Sequence, residues 1–297
     1  MMNLSMKQLR YFDSLARHGH FGKAAADCAI SQPALSVQIR ELEELIGAPL
    51  VERGPRPIRL TQLGEQFALR IRDILKSVDE LGNLSRLSAE PFSGHVRLGV
   101  IPTLAPYMLP AVIKGLSERF PGLDVRPREA ITQKLLADLS DGKLDAVILA
   151  LPVDETALVS HELFEEEFVL VRPLKDEAKP VPSLEKLGEM QLLLLEEGHC
   201  FRDQAIEFCR ISASPARDII EGSSLSTLVQ MVGAEIGVTL IPQIAVGMEA
   251  RSAAVSVSYL PSPAPRRRIG MAWRRSNPLS DELQRIAETI HDMKLAG

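Results

Sequence analysis

Between residues 95 and 151 the sequence alternates between strand and helix patterns, and this alternation restricts the possible folds more than any other feature. Apolar runs of strand length that are separated by helical patterns are typical of a parallel sheet with helices on both faces. We therefore expect an α/β domain that spans 91–297. Its first strands are predicted at 95–102, 123–127 and 144–151, and its first helices at 109–120 and 132–141.

A second α/β lobe is predicted from the patterns that follow. The pattern changes direction near Glu165 and returns near Arg266, as when a chain crosses into a second lobe and comes back. Lobe one should comprise about 95–164 and 267–297, and lobe two about 165–266. Further strands are predicted at 168–172, 191–195, 237–242 and 269–274, and further helices at 225–233 and 280–294.

A long, uninterrupted helical pattern precedes this domain and starts at Thr61, which is a good N-cap. Its apolar residues follow alternating steps of four and three, which is typical of a coiled-coil seam. A single helix cannot bury such a seam, so we expect 61–90 to be a linker helix that dimerises; a core helix of one domain is the alternative. The seam residues are Phe67, Ile71, Ile74, Val78 and Leu81.

Three shorter helical patterns lie within residues 1–60. Ser5 is placed to cap the first helix, and Gly19 to end it. The second helix is rich in alanine, and small side chains let a following helix cross closely. Ser31 is placed to cap the third helix, with Pro33 in its first turn, where a missing N–H costs nothing. These patterns predict a small all-α domain.

The third helix carries a polar stripe, in which Gln32, Ser36 and Arg40 recur every four residues. Two helices joined by a tight turn, the second with such a polar face, match the helix-turn-helix plan. Glutamine, serine and arginine side chains can bond base edges, and arginine also reaches phosphate. A helix face that is simply solvated is the alternative.

A hairpin with a basic tip is predicted at 50–60, where Arg53, Arg56 and Arg59 cluster. Such a wing would place cations on phosphates or in a minor groove. Up to Gln62 the chain has eight Lys or Arg and six Asp or Glu, a net charge of +2; the whole chain has −5, which leaves −7 for the remainder. This asymmetry favours a nucleic-acid-binding module at the amino terminus.

Five blocks of this region match a known family in order and spacing. They are FGKAA at 21–25, SQPALS at 31–36, IRELE at 39–43, LVER at 50–53 and LTQLG at 60–64. The chain here resembles the LysR-type transcriptional regulators. The resemblance implies a winged helix-turn-helix and a two-lobed α/β effector domain that is similar to periplasmic binding proteins. By position, it implies base contacts from Gln32, Pro33 and Ser36, and backbone or minor-groove contacts from Arg40, Arg53 and Arg56.

Two of the three cysteines, Cys200 and Cys209, flank a further helical pattern without Gly or Pro. In a helix, nine residues place the two sulfurs about 13 Å apart along the axis and on opposite faces. A disulfide needs Cα atoms within about 7 Å, so the pair could bridge only if the helix unwound. The segment is therefore a candidate redox switch. Two unrelated cysteines, one of them buried in a core, are the alternative.

The block GHCFRDQ at 198–204, followed by Phe208 and Cys209, is similar to one branch of that family, the OxyR group of hydrogen-peroxide sensors. This resemblance implies that Cys200 is the peroxidatic cysteine and that Cys209 resolves its sulfenic acid into a disulfide. It covers essentially the whole chain. Other matching blocks are IPT at 101–103, EAIT at 129–132, GKLDAVILAL at 142–151 and PRRRIG at 265–270.

The same resemblance implies a set of residues that support the reactive thiol. The helix N-terminus and a nearby arginine would favour the thiolate, which is the form that attacks peroxide. Threonine hydroxyls would position the peroxide oxygens. The two threonines as helix caps, and Asp203 as a cap or as a partner of Arg202, are the alternatives. The implied residues are Thr103, Thr132, His199, Asp203 and Arg267, the last chosen over Arg266 and Arg268 by alignment on Ile269 and Gly270.

Composition excludes several other classes of protein. The start has no apolar run of signal-peptide type, and the longest apolar stretch, 146–153, is too short to span a bilayer. Three cysteines without a secretion signal indicate a reducing cytoplasm, where a disulfide is transient. None of the histidines other than His199 has metal-ligand spacing with a cysteine, so we expect no metal and no cofactor. The expected partners are promoter DNA, hydrogen peroxide, RNA polymerase and further copies of the chain, as a dimer through the linker helix and as a homotetramer.

Two rival functions remain at this stage. One is a LysR-type regulator that binds a small metabolite between its lobes, and the other is a thiol peroxidase built on a binding-protein fold. The base-reading helix argues against an enzyme, and the paired cysteines argue against a metabolite sensor. We expect a transcription factor, not an enzyme, that senses hydrogen peroxide and regulates antioxidant genes.

Overall fold

The computed structural model describes residues 4–52, 58–87, 92, 94–153, 155–209 and 220–295. The chain forms two compact units, Met1–Ser85 and Arg86–Gly297. Each unit has its own hydrophobic core or cores.

The described part of the amino-terminal unit contains four helices, and several capping residues lie at their predicted ends. Ser5 caps the first helix in a capping box with Gln8, and Gly19 ends it in a left-handed conformation. Ser31 accepts the backbone N–H of Ala34 at the start of the third helix. The helices are α1 (Met6–His18), α2 (Phe21–Asp27), α3 (Gln32–Ile46) and α4 (Gln62–Leu87). These caps confirm the predicted start and end of the first helix and the predicted start of the third.

A β-bridge between Val51 and Leu60 closes a short antiparallel loop next to α3, as expected of a wing. The Glu43 carboxylate holds the start of this loop, since it accepts the backbone N–H groups of Leu50 and Val51. The predicted wing residues Arg53 and Arg56 lie outside the described residues.

The start of α4 belongs to the core of this unit, so the prediction of a continuous exposed seam is wrong there. Ile71 is 1% exposed, and the Phe67 ring meets the Phe12 ring edge-on, with 6.0 Å between centroids. Farther along, Ile74 is 45% exposed. The turns up to Ile71 therefore pack against the helix-turn-helix, because these apolar residues complete its core.

The carboxy-terminal unit alternates strands and helices, with bounds close to the predicted ones at most elements. Its strands are β1 (Gly94–Val100), β2 (Leu123–Glu129), β3 (Ala146–Leu151), β4 (Leu158–Pro173), β5 (Leu193–Leu195), β6 (Ile220–Gly222), β7 (Thr239–Pro242), β8 (Val255–Tyr259) and β9 (Arg266–Arg274). Its helices are α5 (Ala105–Arg119), α6 (Thr132–Ser140), α7 (Leu184–Glu189), α8 (Cys200–Phe208), α9 (Leu225–Gly233), α10 (Val246–Glu249) and α11 (Ser280–Asp292).

The main sheet is mixed, which corrects the prediction of a parallel sheet. The pairs β1–β2 and β1–β3 are parallel, as the βαβ pattern requires. However, β9 runs antiparallel to both β3 and β4. The antiparallel strand is the returning one, and its direction follows from where the chain re-enters the first lobe. The strand order is β2-β1-β3-β9-β4-β7, and β8 also pairs with β4.

The 16-residue strand β4 carries the chain from one lobe to the other. Up to Glu167 it pairs with β9, and from Phe168 onward it pairs with β7 and β8. Two separate cores result: that of lobe one contains buried residues from Val96 to Leu163 and from Ile269 to Ile290. The core of lobe two runs from Phe168 to Leu260. The lobes thus meet where β4 stops pairing with β9 and begins to pair with β7 and β8.

Candidate functional site

Helix α8 separates the two candidate cysteines. Cys200 is its first residue, and Cys209 is its C-cap, so the two positions are nine residues apart. Both thiols are free. At 1.5 Å and 100° per residue, the two Cα atoms are about 13 Å apart along the axis and on opposite sides. The helix that the sequence predicts therefore exists, and it keeps the cysteines too far apart for a disulfide.

The two cysteines also contact the cores of different lobes. Cys200 is half-buried and packs against the core of lobe one. Cys209 is 2% exposed and is part of the core of lobe two. Burial raises the pKa of the Cys209 thiol to about 11, so this thiol is protonated and unreactive near neutral pH while α8 is folded.

A shallow, open pocket lies in front of Cys200. Its lining residues are Ile101, Pro102, Thr103, Ile131, Thr132, His199, Cys200 and Phe201. Thr103 follows β1 and Thr132 follows β2, so both lie at the carboxyl ends of adjacent parallel strands, where α/β folds bind ligands. The pocket therefore brings together Cys200, His199 and both predicted threonines.

Thr132 has a buried hydroxyl with no hydrogen-bond partner among the described residues. It does not cap α6, because the N-cap is Ile131 and makes no side-chain cap bond. Thr103 does not cap α5 either, since Leu104 holds that position. A buried polar group without a partner costs about 1–3 kcal/mol. Such a group at a pocket wall points to a small polar ligand.

Arg267 is the arginine of the triplet that reaches this site. Its side chain is fully buried, and its Nη1 donates to Thr103 Oγ1 at 2.9 Å. Its guanidinium carbon lies 5.2 Å from the centre of the Phe201 ring. In contrast, Arg266 pairs with Glu165 and Glu167 at the surface. Arg268, the third, is half exposed and lies 3.6 Å from Glu162.

His199 precedes α8 as its N-cap and is 9% exposed. Burial lowers the pKa of its imidazole, against a smaller opposing effect of Glu196, so the ring is neutral near pH 7. Gly198 before it has φ +94°, and a Cβ there would lie 2.9 Å from Ile131 Cδ1. The chain can enter α8 against the pocket wall only with glycine at this position.

Asp203 lies in the first turn of α8, is exposed and is not among the pocket-lining residues. Instead, Arg202 is the charged residue of this turn that is buried, and it donates to the Leu195 carbonyl at 2.8 Å and to Glu221 at 2.6 Å. Phe201 stacks on Phe168 with 4.5 Å between ring centroids. These contacts anchor the start of α8 in lobe two.

Glu166 is a site residue that sequence reasoning missed. It is 3% exposed and pairs with Arg267 at 2.8 Å. The sequence does contain a signal: three acids at 165–167 face three arginines at 266–268 across an antiparallel pair of strands. Because alternate residues of a strand point to opposite faces, only the middle pair can be buried together. This spacing would have selected Arg267 and its partner.

The predicted base-reading face of α3 is exposed. Leu35, Ile39 and Leu42 are buried in the core of the unit. Gln32, Pro33 and Arg40 are exposed on other faces, and Ser36 is half-buried. The helix thus presents a polar face that includes its N-terminal turn, as a recognition helix does.

Two family models match the chain. Residues 6–65 match the bacterial regulatory helix-turn-helix protein, lysR family, and residues 89–294 match the LysR substrate binding domain. The chain belongs to the LysR family. These two matches cover the winged helix-turn-helix and both lobes of the LysR effector domain.

Relatives and solved structures place this LysR protein in the OxyR group. It is 41% identical to a probable hydrogen peroxide-inducible genes activator of Streptomyces viridosporus, over 97% of this chain and 94% of that protein. It is 40% identical to the DNA-binding transcriptional dual regulator OxyR of Escherichia coli, over 97% and 95% of the two chains.

Structures of OxyR proteins share the LysR fold of the whole chain. Full-length Pseudomonas aeruginosa OxyR, as a cysteine-to-aspartate variant, matches with a TM-score of 0.75 and 33% identity, over 100% of this chain and 97% of that one. A hydrogen-peroxide-bound cysteine-to-serine variant of Corynebacterium glutamicum OxyR matches with a TM-score of 0.65 and 31% identity, over 98% and 93%.

Among the residues that the structure describes, no three His, Cys, Asp or Glu side chains are grouped so that they could hold a metal ion. Within the same residues, no helix has the length and apolar character that a membrane span requires.

Proposed function

We propose that this protein is a DNA-binding transcription factor that senses hydrogen peroxide through Cys200 and Cys209 and regulates antioxidant genes in the bacterial cytoplasm. The observation that carries the proposal is the pocket in front of Cys200, with the partnerless Thr132 hydroxyl in its wall. Each oxygen of hydrogen peroxide both donates and accepts hydrogen bonds, so it can bond a hydroxyl group in this wall. The protein acts as a regulator and not as an enzyme that turns over substrate.

The first chemical step is the attack of the Cys200 thiolate on one peroxide oxygen. An S–O bond forms and the O–O bond breaks, so the sulfur is oxidised by two electrons to a sulfenic acid. The leaving hydroxide takes a proton and becomes water. Cys200 begins α8, and the hydroxyls of Thr103 and Thr132 line the same pocket, where they hold the peroxide oxygens.

In the second step, Cys209 attacks the oxidised sulfur. An S–S bond forms, the S–O bond breaks, and the oxygen leaves as a second water after it gains a proton. Overall, two thiols and one peroxide give one disulfide and two waters. Because α8 separates the cysteines, it must unwind first, and Phe201, Ala205 and Cys209 must leave the core of lobe two. Formation of the disulfide thereby changes lobe two, and cellular dithiols reverse the change.

The signal reaches DNA through the oligomer. We propose that copies of the chain pair through the exposed part of α4, where Leu69 is 60% and Ile74 is 45% exposed. Two pairs then form a tetramer, and a change in lobe two alters the spacing of its DNA-reading helices. RNA polymerase is the partner that responds to this altered spacing.

The proposal is tested by the rate at which peroxide oxidises the reduced protein. A Cys28→Ser variant, which contains only the two proposed redox cysteines, should lose both thiols with one equivalent of peroxide at pH 7, much faster than free cysteine does. Cys28 itself should remain reduced in the wild-type chain. A rate equal to that of free cysteine would contradict the proposal and would favour a regulator that responds to a metabolite.

The reactivity of Cys209 should depend on pH in a way that reports the unwinding of α8. In the folded protein its pKa is about 11, whereas an exposed thiol has a pKa of about 8.5. Opening therefore releases a proton above pH 8.5. The ratio of open to closed protein then rises by up to about tenfold per pH unit until about pH 11. Iodoacetamide labelling of Cys209 in a Cys28→Ser, Cys200→Ser variant should still rise about tenfold between pH 9 and 10.

The same variant in denaturant is the control for this pH dependence. There, labelling should level off near pH 8.5, because the thiol is exposed throughout. A plateau near pH 8.5 in the folded protein would show that Cys209 is accessible without opening, and α8 would then not be the barrier.

Arg40 and Gln32 should contribute to DNA binding in different ways. Arg40→Ala should weaken binding to all sequences and reduce the slope of log K against log salt by about 1, since one phosphate contact is lost. Gln32→Ala should relax base preference by about 1–3 kcal/mol at one position. Fluorescence anisotropy with specific and random duplexes measures both. Arg126→Ala, an exposed arginine of β2 in the other unit, should change neither quantity.

A further inference from the structure

Glu166 is a buried acid beside the peroxide pocket, and both of its carboxylate oxygens are engaged. Its side chain is 1% exposed. Oε1 accepts Nε of Arg267 at 2.8 Å, and Oε2 accepts the backbone N–H of Ile244 at 3.1 Å. Ile244 follows β7 in lobe two, whereas Glu166 and Arg267 lie where β4 and β9 pair. The carboxylate is thus fixed in position by both lobes.

The position of this carboxylate determines where the Arg267 guanidinium points. With one edge of the guanidinium on Glu166, Nη1 is directed at Thr103 Oγ1 at 2.9 Å. Nη2 reaches the backbone oxygen of the same threonine at 3.3 Å. The planar guanidinium has donors in a rigid fork, so holding one edge fixes the other.

The hydrogen bond from Arg267 restricts the direction in which the Thr103 hydroxyl can donate its own hydrogen. A hydroxyl has one hydrogen to donate and two lone pairs that accept. Because Arg267 donates to Thr103 Oγ1, the hydrogen of this hydroxyl must point elsewhere. Thr103 lines the pocket in front of Cys200. A peroxide oxygen in that pocket is the acceptor that this hydrogen can meet, and donation to it stabilises the charge that develops on the leaving oxygen.

We propose that Glu166 is a positioning residue of the peroxide site, which orients Arg267 so that Thr103 donates a hydrogen bond to bound peroxide. This inference rests on the proposed function, and it concerns peroxide chemistry alone. A neutral electrophile that needs no such donor should react with Cys200 equally well without Glu166. The ratio of the two rates therefore separates positioning from a general loss of structure.

The experiment uses the full-length reduced protein with Cys28→Ser and Cys209→Ser, in which Cys200 is the one remaining thiol. Glu166→Gln in this background should lower the second-order rate with hydrogen peroxide by about 10- to 100-fold, since the donor is misplaced. The rate with iodoacetamide at pH 7 should stay within about threefold, because alkylation by this neutral electrophile needs no hydrogen-bond donor to a leaving oxygen. Glu166→Asp keeps the carboxylate and should react with peroxide faster than Glu166→Gln.

The matched control is Glu162→Gln on the same strand, whose acid faces Arg268 at the surface and is half exposed. It should change neither rate. The inference is overturned if Glu166→Gln reacts with peroxide within twofold of the parent, or if both of its rates fall alike. If Glu166→Gln does not fold, Glu166→Asp decides in its place: a selective loss of peroxide rate supports positioning, and equal rates overturn it.

Failure of the inference and failure of the proposed function give different results. If the parent, with Glu166 intact, reacts with peroxide no faster than free cysteine, the proposed function is wrong. If the parent is fast and Glu166→Gln is equally fast, only the role of Glu166 is wrong.

Discussion

Serine substitutions at the two cysteines are expected to stop the response at different steps. Cys200→Ser should abolish the rapid reaction with peroxide, because the attacking sulfur is absent. Cys209→Ser should still react rapidly but should stop at the sulfenic acid, since no second thiol resolves it. Dimedone labelling followed by mass spectrometry detects that acid at residue 200. Neither variant should change its DNA footprint when peroxide is added.

The matched control is Cys28→Ser, which removes the third thiol in the amino-terminal unit. This variant should keep the rapid reaction, the disulfide and the change in footprint. A Cys209→Ser protein whose footprint still changed with peroxide would contradict the account, because a sulfenic acid alone would then be the signal and α8 would not need to unwind.

Thr132→Val should make the protein slower with peroxide without making it less stable. The Thr132 hydroxyl is buried and without a partner among the described residues, so replacing it with a methyl group removes a cost of about 1–3 kcal/mol. The free energy of unfolding should therefore stay equal or rise. The peroxide rate should fall about 10- to 100-fold, because one donor to the transition state is lost. Urea denaturation and stopped-flow kinetics measure the two quantities.

Thr103→Val is the informative comparison, because its hydroxyl is engaged. Its loss leaves Arg267 Nη1 without that acceptor, so both the peroxide rate and the stability should fall. Thr289→Val, on α11 and remote from the pocket, should leave the peroxide rate unchanged. A Thr132→Val protein with an unchanged peroxide rate would remove this threonine from the site.

The helix ends of the amino-terminal unit could be predicted because they depend on local chemistry. Ser5, Gly19, Ser31 and Thr61 each act on backbone groups within a few residues, and each sits at the predicted terminus. Local chemistry could not show which seam residues of α4 face the core of their own unit and which are exposed. Whether Phe67 faces a second copy or the core of its own unit depends on where distant helices pack.

In the larger unit, the sequence predicts apolar, buried strands better than strands that are exposed or rich in charged residues. The first half of β4 was not predicted, because its run of acids hides the strand pattern. Those acids are matched by arginines of β9, which lies about 100 residues further along the chain. The mixed direction of the sheet has the same origin, since β9 returns from lobe two. Such pairings depend on topology and not on local propensity.

In the candidate site too, features that depend on local sequence could be predicted, and those that depend on tertiary structure could not. The helix between Cys200 and Cys209 follows from local pattern, and the separation of the two thiols follows from helix geometry. The closeness of Thr103 and Thr132 follows from two adjacent parallel strands that end at one edge. In contrast, burial of Cys209 in the core of lobe two is a tertiary property. This burial opposes disulfide formation, in addition to the distance that the folded helix places between the two cysteines.

The reduced wild-type protein bound to DNA allows thiol oxidation and the change in DNA binding to be measured together. A duplex that the reduced protein protects is first selected from random sequence. One equivalent of peroxide is then added, free thiols are counted and the footprint is repeated on the same sample. The three thiols should become one, and the footprint should shift. Loss of two thiols with an unchanged footprint would contradict this expectation.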